Sequence, residues 1–207
     1  MKYVIMSDGK MSRWQKGVTR KQLLPVGSET ILQRLVRQLR EQSPSPDPEI
    51  IITSHNCAYE VEGARRYEPQ NNIYEIDRFT WELIEDGVCF LYGDTVYSDQ
   101  AVQRILSLEG EPICFAADRH SIVAVKVFDA EVMRTHVAHV REAYLSGLIS
   151  DCRGWQVYLS YVGLPLDQIR LAGHITVLDH ETVGFNTPDE YAQFMEQYRG
   201  SFTHGCF

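Results

Sequence analysis

The chain has 207 residues, of which 44% are hydrophobic and 23% are charged, and its formal net charge is -8 at pH 7. Its length suits a single domain over residues 1–207, and its composition excludes a disordered chain. The negative charge argues against a broad nucleic-acid-binding face, and no apolar stretch is as long as the roughly 18 residues of a membrane span. The five cysteines are widely spaced with no C-x-x-C pair, which predicts reduced thiols in a cytoplasmic protein rather than a zinc site or a disulfide framework.

The first quarter of the chain predicts a strand, a loop, a helix and a second strand. Residues 2–6 (KYVIM) form a short apolar run that ends at a Ser7-Asp8-Gly9 turn. Apolar residues from position 29 onward recur at helical spacing, with Ser28 as the predicted N-cap. The run at 50–53 (IIIT) then predicts a strand that is buried on both faces. This order is a βαβ unit, whose right-handed crossover favours parallel pairing.

The same alternation continues along the chain. Helices are predicted near 75–86, 98–108, 129–148 and 155–162, and strands at 88–92, 113–116, 121–127 and 175–178. Pro188 begins a last helix, with Thr187 as its N-cap. The alternation predicts an α/β fold: a Rossmann-like three-layer α/β/α sandwich around a mostly parallel mixed sheet. Binding groups are expected where the strands end.

One loop reverses the acidic character of the chain. Between positions 10 and 21 there are five cations and no acid; the cations are Lys10, Arg13, Lys16, Arg20 and Lys21. Charge alone does not separate a solvated loop from a phosphate site. The loop follows the first strand and Gly9, however, and a glycine lets the backbone approach phosphates closely.

A carboxylate follows the predicted strand at 88–92. Gly93-Asp94 is an ordinary turn dipeptide, but an Asp at the carboxyl end of a strand can also bind Mg²⁺, which prefers oxygen ligands. Together, the cationic loop and Asp94 favour a site for a polyphosphate with a divalent metal.

Four motifs follow one another along the chain. The first has two segments, 5–13 (IMSDGKMSR) and 20–27 (RKQLLPVG), and the others are 71–74 (NNIY), 91–97 (LYGDTVY) and 184–191 (GFNTPDEY). Together, over residues 2–194, they resemble the nucleotidyltransferases of the nucleotide-diphospho-sugar transferase fold. The first motif is similar to this family's L-A-A-G-x-G-x-R and P-K-x-L-L-P-V-G, and 71–74 is similar to a segment of choline-phosphate-type cytidylyltransferases. The segment 91–97 is similar to the metal-binding G-D strand end, and 184–191 to the closing N-T-P-E-D or D-T-P-E-D segment.

The resemblance implies a role for individual residues. Gly9 and Lys10, with Arg13, would hold the β- and γ-phosphates of a nucleoside triphosphate, and Lys21 would contact the α-phosphate. Arg13 and Lys21 would be the catalytic residues. Asn72 would be a further nucleotide-binding residue, and Asp94 and Asn186 would bind Mg²⁺.

The implied reaction is the attack of an acceptor phosphate or phosphonate oxygen on the α-phosphorus, with release of pyrophosphate. The NNIY segment favours CTP, and the expected acceptor is a phosphorylated sugar or a small phosphorylated alcohol or phosphonate. The sequence defines neither the base nor the acceptor. A homodimer is compatible with the sequence, and neither nucleic acid nor membrane is expected as a partner.

Departures from the family pattern keep two other functions open. Met11 stands at the family's second loop glycine, and Asp8 adds a negative charge beside the proposed phosphate site. These changes would suit a nucleotide-binding module without catalysis. A glycosyltransferase of related fold is the third hypothesis, although Gly93-Asp94-Thr95 lacks the first acid of a D-x-D motif.

Several other polar residues have less specific interpretations. His136 and His139 are three apart on a predicted helix, but a pair without further ligands predicts a surface role more readily than metal ligation. His55 follows the second long strand, where it would contact the base or form a polar turn. Lys126 lies among apolar residues, so it should face solvent or reach the acceptor phosphate. Asp179 could assist the metal but is not favoured for that role.

Overall fold

The computed structural model describes residues 1–9, 14, 20–119, 121–168, 170 and 173–203, with the side chains of 199–203 left out. The strands are β1 (Lys2–Met6), β2 (Pro25–Val26), β3 (Glu29–Thr30), β4 (Glu49–Thr53), β5 (Arg65–Tyr67), β6 (Val88–Tyr92), β7 (Thr95–Tyr97), β8 (Ile113–Ala117), β9 (Ile122–Val127), β10 (Ile175–Val177) and β11 (Thr182–Gly184). The α-helices are α1 (Ile31–Gln42), α2 (Asp99–Leu106), α3 (Ala130–Leu145), α4 (Gly154–Tyr161) and α5 (Pro188–Thr203). Short 3₁₀ turns cover Lys21–Leu23, Cys57–Tyr59, Glu75–Arg78 and Trp81–Leu83.

A seven-stranded sheet forms the middle layer, in the order β10-β8-β9-β6-β1-β4-β5. The strand β9 pairs antiparallel with both of its neighbours, and the other pairs in this sheet are parallel. The predicted mostly parallel mixed sheet is therefore confirmed. None of the helices in the described ranges is long and apolar enough to cross a membrane.

Helices cover both faces of the sheet, and the interior strand β1 accordingly has buried apolar residues from Tyr3 to Met6. Tyr3 and Ile5 point to the face packed by α1 and α2, whereas Val4 and Met6 point to the face packed by α3 and α4. This alternation follows from the two-residue period of a strand. It produces the three predicted layers.

A smaller apolar cluster lies beside the main layers. It joins Trp14, Leu24, Val26, Ile31, Val96 and Phe185, and Tyr191, Phe194 and Tyr198 of α5 pack against it. The strands β7 and β11 pair antiparallel next to this cluster, with Thr95 opposite Gly184. We call the apolar residues of this group, from Trp14 to Phe185, the lateral cluster.

Two local predictions are wrong. The helix predicted at 75–86 is replaced by two separate 3₁₀ turns. The N-cap of α1 is Thr30 rather than Ser28: the Thr30 side chain accepts a hydrogen bond from the Gln33 backbone, and the Gln33 side chain accepts one from the Thr30 backbone. This reciprocal capping box begins the helix two residues later than the sequence suggests.

Candidate functional site

The carboxyl ends of β1 and β6 lie side by side at one edge of the sheet. Met6 is paired with Tyr92, and the Gly93 backbone donates a hydrogen bond to the Met6 carbonyl over 3.0 Å. A β-carbon at Gly93 would lie 2.1 Å from the Ser7 hydroxyl oxygen and 3.2 Å from the Met6 carbonyl oxygen. Only glycine therefore lets the two strand ends approach this closely.

Lys21 and Asp94 meet at this edge. The Lys21 ammonium lies 3.6 Å from an Asp94 carboxylate oxygen, and their side chains are 10% and 28% exposed. The ammonium also lies 5.8 Å from the centre of the Trp14 ring. Two residues that are 73 positions apart in the sequence thus form one charged pair beside the strand ends.

The 3₁₀ turn that carries Lys21 is held in place by its neighbour Gln22. The buried Gln22 amide donates a 3.5 Å hydrogen bond to the Ser7 carbonyl and accepts a 2.9 Å bond from the Tyr59 hydroxyl. Burial raises the pKa of Tyr59, so the hydroxyl keeps its proton and remains a donor at neutral pH. These bonds join the lysine turn to the end of β1.

Asn186 is brought to the same region by the pairing of β7 with β11. Asp94 immediately precedes Thr95, and Asn186 follows the partner residue Gly184 by two positions. Because the pairing is antiparallel, both residues lie at the same end of this two-stranded sheet. The Asn186 backbone donates a 2.7 Å hydrogen bond to the Glu190 carboxylate in the first turn of α5.

The lateral cluster explains why these segments stay together. Leu24 follows the lysine turn, Val96 follows Asp94 by two residues, and Phe185 directly precedes Asn186; all three are buried in that cluster. The Tyr191 hydroxyl of α5 also donates a 2.7 Å hydrogen bond to the Pro25 carbonyl. Apolar burial therefore supports each polar residue of the candidate site from behind.

Asp8 is engaged by polar groups of two other loops. Its carboxylate accepts hydrogen bonds from the His55 backbone at 3.1 Å and from the Asn72 amide at 2.7 Å, and it lies 2.6 Å from His55 Nδ1. The Asn72 amide also donates to the Asp8 carbonyl over 2.9 Å. His55 and Asn72 thus hold the loop after β1. Nucleotide binding by Asn72 and base contact by His55 stay predictions.

The predicted phosphate-loop residues Lys10 and Arg13, together with Met11, lie outside the described residues. Gly9 is described and lies against the guanidinium group of Arg78, because a β-carbon at position 9 would be 2.5 Å from Arg78 Nη2. No motif identified Arg78, and only its place four residues after the NNIY segment could have drawn attention to it.

Other polar residues lie away from this edge or have structural partners. Lys126 is buried, and its ammonium donates to the Leu106 and Leu108 carbonyls at the end of α2 over 2.6 and 2.8 Å. The prediction that Lys126 faces solvent or reaches an acceptor is therefore wrong, since carbonyls left open by the end of a helix satisfy it instead. Asp179 is paired with Arg119 at 3.0 Å, which lowers the pKa of its carboxyl.

The donor chemistry of Asp94 and Asn186 fits a hard divalent cation. A carboxylate and a carboxamide both offer oxygen ligands, which Mg²⁺ prefers. Within the described residues, no group of three or more His, Cys, Asp or Glu side chains could hold a metal ion. A site with few protein ligands is consistent with Mg²⁺, because this ion keeps several waters and binds substrate phosphates.

The strand order and the likeness to solved structures define the class: the chain has the fold of the nucleotide-diphospho-sugar transferases, as its sequence predicts. Three solved structures illustrate the likeness. Rv0371c from Mycobacterium tuberculosis H37Rv is 17% identical with a TM-score of 0.60, and the match covers 94% of this chain and 97% of that chain. The CTP:phosphocholine cytidylyltransferase LicC from Streptococcus pneumoniae is 13% identical with a TM-score of 0.59, over 94% and 97% of the two chains.

The inositol-1-phosphate CTP transferase from T. maritima is 8% identical with a TM-score of 0.59, over 100% of this chain and 97% of that chain. Another structure of Rv0371c is a complex with manganese. No protein-family model matches the chain, and no curated protein matches its sequence at a significant level. At these identities the likeness shows a common fold.

Proposed function

We propose that the protein is a Mg²⁺-dependent nucleotidyltransferase. It transfers a nucleoside monophosphate from a nucleoside triphosphate, with CTP favoured, to a phosphorylated sugar or a small phosphorylated alcohol or phosphonate. The observation that carries the proposal is the 3.6 Å contact between Lys21 and Asp94 at the carboxyl ends of β1 and β6. A cation that can bind phosphate is therefore adjacent to a carboxylate that can bind Mg²⁺, which supports the proposal.

Each side chain has a defined task in this reaction. Lys21 binds the α-phosphate and offsets the negative charge that develops there, while the Gly9 backbone approaches the other phosphates. Asp94 and Asn186 would hold Mg²⁺, which supplies charge neutralisation to the triphosphate. The acceptor oxygen forms a bond to the α-phosphorus, and the bond from that phosphorus to pyrophosphate breaks. Positioning and electrostatics carry the rate, without a covalent enzyme intermediate.

The preference for CTP has two supports. The NNIY segment at 71–74 is similar to a segment of choline-phosphate-type enzymes, and the names of two of the structurally similar proteins specify CTP.

Asp8, which the sequence suggested would repel phosphates, is held by donors from His55 and Asn72. These donors offset its charge.

A pair of lysine variants tests the proposal. Lys21→Met should reduce pyrophosphate release by about 100-fold or more, because the negative charge that develops at the α-phosphate would lose a hydrogen-bond donor. Lys2→Met is the matched control: Lys2 lies at the opposite end of β1, where it pairs with Glu85 at 2.8 Å. The measurement is pyrophosphate release over a panel of triphosphates and acceptor phosphates, with Mg²⁺ present.

Two outcomes would contradict the proposal. One is equal activity of the Lys21→Met and wild-type proteins. The other is a folded wild-type protein that is stabilised by a triphosphate but releases no pyrophosphate with any acceptor, which would favour the nucleotide-binding module.

A further inference from the structure

A second cation, Arg78, lies at the candidate site, and none of the carboxylates in the described part of the chain pairs with it. The guanidinium group of Arg78 packs against Gly9, where a β-carbon would lie 2.5 Å from Nη2, 2.8 Å from Cζ and 3.1 Å from Nε. The Arg78 Cζ atom also lies 5.9 Å from the centre of the Tyr92 ring. The group therefore reaches the ends of β1 and β6 together.

The lack of a partner sets Arg78 apart from several arginines elsewhere in the protein. Arg37, Arg104 and Arg153, for example, pair with Glu29, Glu181 and Asp151 respectively. Over the described ranges, no hydrogen bond or ion pair is found for the half-buried Arg78 guanidinium. A partly exposed guanidinium group of this kind can bind an anionic ligand without first breaking an ion pair.

The backbone of Arg78 is fixed by the residues beside it. Asp77 is buried and accepts 2.8 Å hydrogen bonds from the Ile73 and Tyr74 backbones, and it also pairs with Arg141. On the other side, Phe79 is buried and packs edge-to-face on Phe90. The guanidinium is consequently presented from a firmly held turn, which lowers the entropy cost of binding a ligand.

Arg78 and Lys21 approach the strand ends from opposite faces of the sheet. Ile76 and Phe79, next to Arg78, belong to the core between the sheet and α3. Leu23, next to Lys21, packs against the core under α1 and α2. A ligand lying across the ends of β1 and β6 would thus meet one cation from each face.

We propose that Arg78 binds a phosphoryl group of a ligand that lies at the ends of β1 and β6, an inference that rests on the proposed function. A guanidinium group presents paired N–H donors that match phosphoryl oxygens. Its bonding partner is either a phosphate of the triphosphate or the phosphate of the acceptor. Gly9 has a second purpose in this arrangement, because its missing side chain makes room for the guanidinium.

The test compares Arg78→Met and Arg78→Lys with the control Arg65→Met. Arg65 is an exposed residue of β5 that pairs with Glu49, outside the proposed site. Calorimetry measures the binding of Mg²⁺-CTP and of inorganic pyrophosphate, and steady-state assays measure KM for the triphosphate and for the acceptor separately. Thermal unfolding checks that each variant is folded.

We expect Arg78→Met to weaken one of these interactions about tenfold or more, as for the loss of a charged hydrogen bond. A rise confined to calorimetric Kd and KM for the triphosphate assigns Arg78 to the nucleotide, and a rise confined to KM for the acceptor assigns it to the acceptor. Arg78→Lys should recover part of the loss. Gly9→Ala should also weaken binding, since its methyl group would displace the guanidinium.

The inference and the proposed function can fail independently. If the wild-type protein releases pyrophosphate and Arg78→Met leaves every Kd and KM unchanged, the inference is overturned and the function stands. If the wild-type protein binds pyrophosphate or Mg²⁺-CTP without turnover, and Arg78→Met abolishes that binding, the inference stands and the function is overturned.

Discussion

Single atoms decide the geometry where β1 and β6 end. The Gly93 backbone hydrogen-bonds to Met6, and the space for its side chain is already filled by the Ser7 hydroxyl. Asp94 is the next residue, so its position depends on this close contact. A side chain at position 93 would push the strand end that carries Asp94 away from the lysine turn.

Replacing Gly93 by alanine should therefore destabilise the protein by about 1–3 kcal/mol, the usual cost of overpacking. Gly184→Ala is the matched control, because a β-carbon there would meet nothing within 4 Å. Urea unfolding of the two variants measures the difference. Equal stability of Gly93→Ala and wild type would show that the strand ends can separate freely.

Lys126 shows what the sequence could not reveal at this scale. A lysine within an apolar strand pattern must find a partner, but the pattern does not say which one. Its partners, the Leu106 and Leu108 carbonyls, lie at and just beyond the end of α2, about 20 residues away in the chain. By contrast, Lys21, Asp94 and Asn186 could be proposed from the sequence because each stands in a motif that keeps its order along the chain.

Among the helices, the start of α1 provides a direct comparison between sequence and structure. Thr30→Ala should cost about 1 kcal/mol of stability, since it removes the side-chain oxygen that caps the helix. Ser28→Ala, at the position that the sequence pattern favours, should have little effect because Ser28 is exposed and lies before the cap. Denaturant midpoints measure both. A larger loss for Ser28→Ala would contradict the observed cap.

Most long elements could be predicted, whereas the short ones depend on tertiary contacts. The buried strands at 2–6 and 88–92 agree with the sequence pattern to the residue. The helix predicted near 75–86 fails because the Asp77 carboxylate binds the Ile73 and Tyr74 backbones and tightens the turn. Thr80 then adopts φ -18° and ψ 103°, outside helical values. The three-residue strand β11 has too little pattern to detect without its partner β7.

For the whole molecule, the pKa shifts of a histidine and two glutamates have the same consequence, because each makes the protein less stable in acid. Burial lowers the pKa of His136, and the charge of His139 lowers it further. Below the ordinary histidine pKa of about 6.5, the unfolded chain therefore binds more protons, so stability falls as the pH drops. The Arg37 and Arg65 side chains lower the pKa of Glu29 and Glu49. The stability that these two carboxylates contribute is fully present above the ordinary glutamate pKa of about 4.3. It is lost as the pH falls through their lowered pKa values in the folded protein.

We therefore expect the free energy of unfolding to decrease continuously from pH 7 to pH 3. His136→Asn should reduce the slope of the free energy of unfolding against pH between pH 7 and pH 5. The decrease at lower pH, which comes from the carboxylates, should remain. Urea unfolding at a series of pH values measures both slopes. An unchanged slope between pH 7 and pH 5 in the variant would exclude His136 as the cause.

The position of β11 and α5 at the end of the described chain has a consequence for the order of synthesis. All seven strands of the central sheet precede residue 178, whereas Asn186 and the aromatic side chains that shelter Trp14 come later. The ribosome therefore synthesises the seven strands of the central sheet first. Asn186, the second protein ligand of the proposed magnesium site, is synthesised afterwards. A chain that stops soon after residue 178 has every strand of the central sheet but lacks Asn186 and the helix α5, which packs against the lateral cluster.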